Sequence, residues 1–256
     1  MRIPLPPEFL ARPITHRGYH DRARGIIENS ASAVSAAVAA GYGIEIDLQL
    51  SSDGVPMVFH DETLDRLTDK AGDLNAHTAA ELQQLPLKGS TDTIPTLAQI
   101  LTLTLTLIGG AVPLLIEIKD QSLTLGQTDG RLEAAVAQVL AAYPGPVALM
   151  SFNPHSVALM ATLTPTLPRG LTTSSYDPID WHPVPKATCD TLRDIPDYDR
   201  TESSFISHEA SDLSRARVTA LRAQGAAILC WTIRSVQAEA EARKIAQNIT
   251  FEGYAA

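Results

Sequence analysis

Hydrophobic and polar positions follow two rhythms along this chain, and the rhythms take turns. Short apolar runs rich in β-branched residues lie at 14–16, 44–50, 114–119, 147–151, 169–171, 204–207, 227–231 and 248–251. Their length and composition predict strands. Between them, residues 30–40, 97–108, 131–142, 154–163, 212–223 and 236–245 carry helical patterns, many of them rich in alanine. Eight strands alternating with helices predict an α/β protein of the (β/α)8 TIM barrel type, with a doubly wound open sheet as the competing arrangement.

Two stretches break the alternation. Asp53-Gly54 is a turn signal, so residues 56–60 should fold back as a hairpin onto the second strand. Residues 174–203 are rich in proline and aspartate and weakly periodic, which predicts a long loop with one short helix near the barrel mouth. The apolar stretch 97–118 could suggest a membrane helix, but Gly109-Gly110, Pro113 and Glu117 interrupt it. A helix followed by a buried strand fits better. No repeat or linker divides the chain, so a single domain over residues 1–256 is expected.

Composition narrows the function. The 256 residues carry a net charge of −9, which argues against nucleic acid or an anionic membrane as the main partner. An anionic substrate must then be met by local positive charge. The two cysteines, Cys189 and Cys230, cannot build a disulfide framework, and Cys230 sits in an apolar run. The N-terminus has no apolar signal region, so a cytoplasmic protein without stable membrane association is expected.

The chemistry concentrates on two strands. In Gly-Ile-Glu-Ile-Asp-Leu-Gln-Leu from Gly43, side chains alternate, so Glu45, Asp47 and Gln49 share one face. Ile44, Ile46 and Leu48 share the other and would meet the helices. The next barrel strand repeats the phase, with Glu117 and Lys119 opposite Ile116 and Ile118. Three carboxylates aimed into one interior repel unless something compensates them. A divalent cation does so, and an all-oxygen donor set favours Mg2+ or Ca2+ over zinc.

His16 ends the first strand and His60 ends the hairpin strand, both beside this cluster. Histidine titrates near neutrality and suits proton transfer. Arg17 and Lys119 supply the anion-binding charge that the acidic whole lacks. His20, His77, His155, His182 and His208 fall in turns or helix starts without matched partners and are read as structural or surface residues, with substrate contact by His20 or His182 as the lesser alternative. Asp61, beside His60, could orient a side chain or simply form the turn.

The ordered set resembles the glycerophosphodiester phosphodiesterase family, within the phospholipase C-like phosphodiesterase barrels. The matching pieces are His16-Arg17-Gly18, Glu28-Asn29, the run from Glu45 to Thr68, Ile94-Pro95-Thr96-Leu97, Glu117-Ile118-Lys119, Ser151-Phe152 and Trp231-Thr232. They cover most of the chain. The resemblance implies a metal-dependent barrel with a small insertion after the second strand, roughly residues 51–93. It implies Glu45, Asp47 and Glu117 as ligands of one divalent cation, His16 and His60 as the acid/base pair, and Arg17 and Lys119 as phosphate binders. It also implies Trp231 as an aromatic substrate contact at the mouth and Glu28-Asn29 as a supporting pair. Two positions depart from the family pattern: Arg234 stands where an Asn-like residue is usual, and the last strand runs Asn-Ile-Thr-Phe-Glu-Gly-Tyr. Both put substrate preference in question.

The implied reaction, part of glycerol and lipid metabolism, is hydrolysis of a small-molecule glycerophosphodiester to glycerol 3-phosphate and an alcohol. His16 is read as base and His60 as acid, with the reverse open. Direct attack by water and attack by the glycerol 2-hydroxyl through a cyclic phosphate also both stay open. Two competing readings are a phospholipase D-like phosphodiesterase acting on lysolipids, as in the related barrel of sphingomyelinase D, and an inactive glycerophosphodiester-binding barrel. The first would use Tyr176, Ile179 and Trp181 as an apolar surface. The second would be favoured by loss of a matched catalytic residue, and none is lost.

Overall fold

Inward-facing side chains grade from apolar at one end of a barrel to charged at the other, and this gradient positions the site. The computed structural model describes residues 1–109 and 112–256, so Gly110 of the expected helix break lies outside the described residues. A short helix, α1 (Glu8–Ala11), precedes β1 (Ile14–Thr15). The chain then continues through α2 (Ala31–Ala40), β2 (Gly43–Leu50), β3 (Pro56–Val58), α3 (Ala79–Leu82), α4 (Leu97–Ile108) and β4 (Leu114–Ile118). Next come α5 (Arg131–Leu140), β5 (Val147–Ser151), α6 (Pro154–Leu163), β6 (Arg169–Thr173), α7 (Lys186–Leu192) and β7 (Phe205–Glu209). The last elements are α8 (Ala216–Ala223), β8 (Ala227–Ile233), α9 (Val236–Ala242) and β9 (Asn248–Phe251).

Eight strands run parallel in the order β1-β9-β8-β7-β6-β5-β4-β2, and β1 also pairs with β2. That second pairing closes the sheet into a barrel, and the open doubly wound sheet is excluded. β1 spans two residues rather than the expected three, because the chain turns at Arg17 and Gly18, both at positive φ. The upper part of β2 therefore loses β1 as a neighbour. β3 takes that place, pairing antiparallel through Leu48–Val58, Gln49–Met57 and Leu50–Pro56. The expected hairpin thus covers an edge that would otherwise present unpaired backbone groups.

Strand alternation sorts the cores. Ile44, Ile46, Leu48, Leu114, Ile116 and Ile118 point outward and pack with Val34 and Ala37 of α2 and Leu97 and Ile100 of α4. Inside, Ile14, Leu115, Ala148, Phe205 and Leu229 fill the lower barrel, with Phe9 of α1 joining them from below. Residues of the hairpin and the segment after it, including Met57, Phe59, Leu64, Leu74 and Leu82, form their own apolar cluster with Ile27 and Ile94. Side chains set the helix starts: Ser30 accepts from Ala33 N, and Thr96 and Gln99 form a capping box at α4.

Differences from the sequence expectation are local. The helix expected from Asp212 begins at Ala216, because a 3-10 turn over Ala210–Asp212 comes first and Asp212 accepts from Arg215 Nε at 2.6 Å. Residues 174–203 hold a 3-10 turn at Pro196–Tyr198 besides the one helix expected, α7. His208 lies within β7 rather than in a turn and is fully buried, bonded to Thr173 and Asp212. Cys189 and Cys230 are both buried. Among the described residues, no helix is long and apolar enough to cross a membrane.

One interior position leaves no room at all. A Cβ on Gly170 of β6 would meet the Phe205 ring at 2.4 Å. Overpacking of this kind typically costs about 1–3 kcal/mol. Gly170→Ala should therefore lower unfolding free energy by about that amount in chemical denaturation. A loss within the error of the fit would mean that Phe205 moves aside freely.

Candidate active site

Each strand contributes its residues at the C-terminal end of the barrel. Glu45 and Asp47 lie on the inward phase of β2, and Asp47 is the register partner of Glu117 on β4. The three are 2%, 2% and 6% exposed. One ligand oxygen from each falls within 4.8 Å of the others. Lys119 Nζ reaches Glu117 at 2.8 Å and Asp47 at 3.4 Å.

The His16-Arg17-Gly18 turn is pinned onto β2. Arg17 N donates to Glu45 Oε2 at 2.8 Å, and Gly18 N donates to the Glu45 carbonyl at 3.1 Å. Gly18 has φ +79, and a Cβ there would meet Ala33 at 2.8 Å, so only glycine fits. Arg17 holds a positive φ of 56, and this conformation turns its guanidinium back over the cluster. Its Nε lies 3.3 Å from Asp47, and Nη1 donates to Glu28 at 2.7 Å. Asn29 braces Asp47 from both sides: its Nδ2 donates to Oδ2 at 2.9 Å, and its Oδ1 accepts from Asp47 N at 3.2 Å. The supporting role expected of Glu28-Asn29 matches these contacts.

Both histidines lean on carboxylates. His16 Nδ1 lies 2.5 Å from Glu252 Oε2, and His60 Nδ1 lies 2.7 Å from Asp61 Oδ1. An ionised carboxylate only accepts, so Nδ1 carries the proton in each ring and Nε2 is left for other work. Gln49, the third inward residue of β2, donates to the His60 carbonyl at 3.0 Å and anchors the end of the hairpin. Asp61 is held in turn by Arg66, which also clasps Glu28 through two nitrogens at 2.7 and 2.8 Å. Asp61 therefore acts as an orienting group rather than only a turn former.

The electrostatics follow from burial and neighbours. Burial, together with Asp47 and Glu117, pushes the Glu45 carboxyl well above its usual range. Burial would raise Asp47 as well, but Lys119, His60 and Arg17 outweigh it and hold Asp47 low. Lys119 is pulled down by burial yet raised overall by Glu117 and Asp47. Burial lowers His16, against the opposing pull of Glu252. The raised Glu45 marks an excess of buried negative charge that Lys119 and Arg17 do not fully offset. An oxygen-only set of three converging carboxylates fits a hard divalent cation. The cluster is a buried acidic site that could hold a metal ion.

The eight residues read from the sequence as catalytic, metal-binding or substrate-binding line one cavity of about 430 Å³. These are His16, Arg17, Glu45, Asp47, His60, Glu117, Lys119 and Trp231. The loop over residues 174–203 reaches the same mouth through Asp180, Trp181, His182, Pro183 and Val184. His182 thus joins the site, whereas His77, His155 and His208 lie outside its lining. Tyr176 is buried and packs on Phe152 and Trp181, while Ile179 is 86% exposed. Sequence reasoning missed two members, Glu252 and Arg66. The signal for Glu252 was an acidic residue directly after the last strand, at the barrel end where His16 sits. The two departures from the family pattern also meet: Arg234 Nε donates to Glu252 Oε1 at 2.8 Å. They bear on His16 as well as on the mouth.

A closed parallel barrel thus carries an acidic cluster and two carboxylate-bound histidines at the C-terminal ends of its strands. The sequence profile of the Glycerophosphoryl diester phosphodiesterase family matches residues 16–249, so the chain belongs to that family. A glycerophosphodiester phosphodiesterase of Caldanaerobacter subterraneus subsp. tengcongensis is 32% identical over 166 residues, which are 62% of this chain and 65% of that protein. Glycerophosphodiester phosphodiesterase 1 of Rattus norvegicus is 39% identical over 83 residues, 32% of this chain and 24% of the relative. The chain thus aligns with less than two thirds of the length of these relatives. Among solved structures, an Oleispira antarctica phosphodiesterase in complex with the product sn-glycerol-3-phosphate is 26% identical, with a TM-score of 0.75 over 95% of this chain and 93% of that one. A glycerophosphodiester phosphodiesterase from Parabacteroides distasonis, 20% identical with a TM-score of 0.72 over 94% and 92% of the chains, attests the fold.

The Arg17–Glu28–Arg66 contact yields a prediction about acid stability. Burial alone would raise Glu28, but the hydrogen bonds from Arg66 and the charge of Arg17 lower it from 4.5 to about 2. A carboxylate depressed in the folded state stabilises above its unfolded pKa, here by roughly 3 kcal/mol at neutral pH. The advantage of wild type over Glu28→Gln should be fully present above pH 4.5 and vanish as pH falls through about 2. Unfolding free energies across that range test it, and a difference independent of pH would show that the charge of Glu28 is not what stabilises.

Proposed function

We propose that the chain hydrolyses glycerophosphodiesters to glycerol 3-phosphate and an alcohol. One observation carries the reading: two anchored histidines, two cations and three buried carboxylates share a single cavity. The family match and the product complex of the Oleispira antarctica relative support the substrate class.

Arg17 and Lys119 bind the phosphate and stabilise the charge that spreads over its oxygens as the bond to the alcohol breaks. Glu252 orients His16, whose Nε2 takes the proton from the attacking hydroxyl. Burial lowers the His16 pKa against the opposing pull of Glu252, which favours the neutral form that a base requires. His60, more exposed and braced by Asp61, gives its proton to the departing alkoxide. Glu45, Asp47 and Glu117 would hold one divalent cation, Mg2+ or Ca2+. Such an ion would supply Lewis-acid charge stabilisation. Asn29 keeps Asp47 aimed at that position.

The role assignment has a direct kinetic test. His16→Ala and His60→Ala should each lose roughly two to four decades of kcat on a glycerophosphodiester. A nitrophenyl leaving group, which departs without a proton, should restore much of the rate to His60→Ala and little to His16→Ala. The opposite rescue pattern exchanges the two roles, and unslowed variants remove both residues from the mechanism.

Metal binding can be measured without turnover. Adding Mg2+ or Ca2+ to chelator-treated protein should raise Tm, since a ligand bound only by the folded state stabilises it. Glu117→Gln should abolish the increase. An unchanged Tm in wild type, with full activity in excess chelator, refutes the metal assignment.

A further inference from the structure

Three neighbouring strand ends set three side chains in a row at the barrel mouth. His16 follows β1, Glu252 follows β9 and Arg234 follows β8, and β9 pairs with both other strands. The backbone fixes their spacing: His16 N donates to the Phe251 carbonyl at 2.8 Å, and Glu252 N donates to the Ile233 carbonyl at 3.0 Å. Glu252 then reaches both ways. Its Oε1 accepts from Arg234 Nε at 2.8 Å, and its Oε2 lies 2.5 Å from His16 Nδ1. Arg234 is 65% exposed and lies outside the cavity lining, so any part it has in the reaction runs through Glu252.

A second histidine faces the same oxygen. His20 Nε2 lies 3.5 Å from Glu252 Oε2, is buried, and has no hydrogen-bond partner among the described residues. A buried ring nitrogen left without a partner is costly. A small swing of Glu252 would satisfy an Nε2–H on His20 and strip His16 of the acceptor that holds its Nδ1 proton. His16 would then lose the fixed tautomer that leaves Nε2 free to act as a base. Burial would raise the Glu252 carboxyl, but the two histidines and Arg234 hold it low, so it is an ionised acceptor that both rings can use.

We infer that Arg234 is a positioning residue: by holding Oε1 it commits Glu252 to His16 and withholds it from His20. The inference rests on the hydrolytic reading above and adds a residue to it. A carboxylate is planar and rigid, so a donor fixed on one oxygen decides where the other points. The guanidinium bond is charge-assisted and stronger than one from a neutral donor, which suits it to outweigh the unpartnered His20 nitrogen.

The test reads the His16–Glu252 bond and the reaction separately. In isotope-labelled protein the His16 Nδ1 proton should give a far-downfield, slowly exchanging NMR signal, identified by its loss in His16→Ala. Arg234→Gln should move that signal upfield and speed its exchange, with Tm within about 2 °C of wild type, as for other exposed substitutions. On a glycerophosphodiester, kcat should fall about fivefold, the worth of one ordinary hydrogen bond, while KM changes less than about twofold. Arg234→Lys keeps a charged donor and should recover most of both. So should Arg234→Gln combined with His20→Phe, because the competing nitrogen is gone. A wild-type signal in Arg234→Gln overturns the inference, whatever the rate. A lost signal that His20→Phe does not bring back also overturns it, because His20 is then not the competitor. If the wild-type protein cleaves no diester, the hydrolytic reading falls, and the proton signal alone decides whether Arg234 commits Glu252 to His16.

Discussion

Mutual repulsion of Glu45, Asp47 and Glu117 is the constraint around which the upper barrel is organised. Three carboxylates with ligand oxygens within 4.8 Å of one another, each nearly sealed from water, are unstable without compensation. Lys119 and Arg17 provide part of it directly. The compensation then propagates outward in alternating signs, from Arg17 to Glu28, to Arg66 and to Asp61, which grips His60. A second chain runs from Arg234 to Glu252 to His16. The residues proposed for proton transfer are therefore the ends of the charge networks that surround the buried cluster. Perturbing one link shifts the electrostatics of its neighbours, so substitutions along a network should not behave additively.

Barrel geometry makes this arrangement possible at modest conformational cost. Parallel strands in register put Asp47 beside Glu117. The turn after β1 is the exception, and there the chain accepts Arg17 and Asn29 at positive φ. Such backbone persists where surrounding contacts over-determine it. Here the Arg17 amide is bonded to Glu45, and its carbonyl accepts from Asn29 N at 2.8 Å. The short β1 and the β3 hairpin are two sides of one solution: the strand ends early to free His16 and Arg17, and the hairpin covers the edge and delivers His60.

The cavity divides its labour by source. Strands β1, β2 and β4 supply the charged groups suited to a phosphate and a cation. Elements after β5 and β6, together with β8, supply an aromatic wall. Rigid strands hold the closely spaced charged groups, while a loop contributes part of the aromatic face.

Much of this was legible in the chain itself, because period-two alternation is a local property. The inward phase of Glu45, Asp47, Glu117 and Lys119 follows from the positions of their isoleucine neighbours, and closure of the barrel brings the two strands side by side. The hairpin was readable from Asp53-Gly54, and the break-up of the apolar stretch 97–118 from its glycines and Glu117. What could not be read are partnerships between residues distant in sequence that share no pattern. Glu252 lies 236 positions from His16, and Arg66 lies 38 from Glu28. Nothing in the local sequence of either says which carboxylate or guanidinium it will face. The early end of β1 and the place of His208 inside β7 belong to the same class. Alternation tells a side chain which way to point, but only the closed barrel decides what it points at.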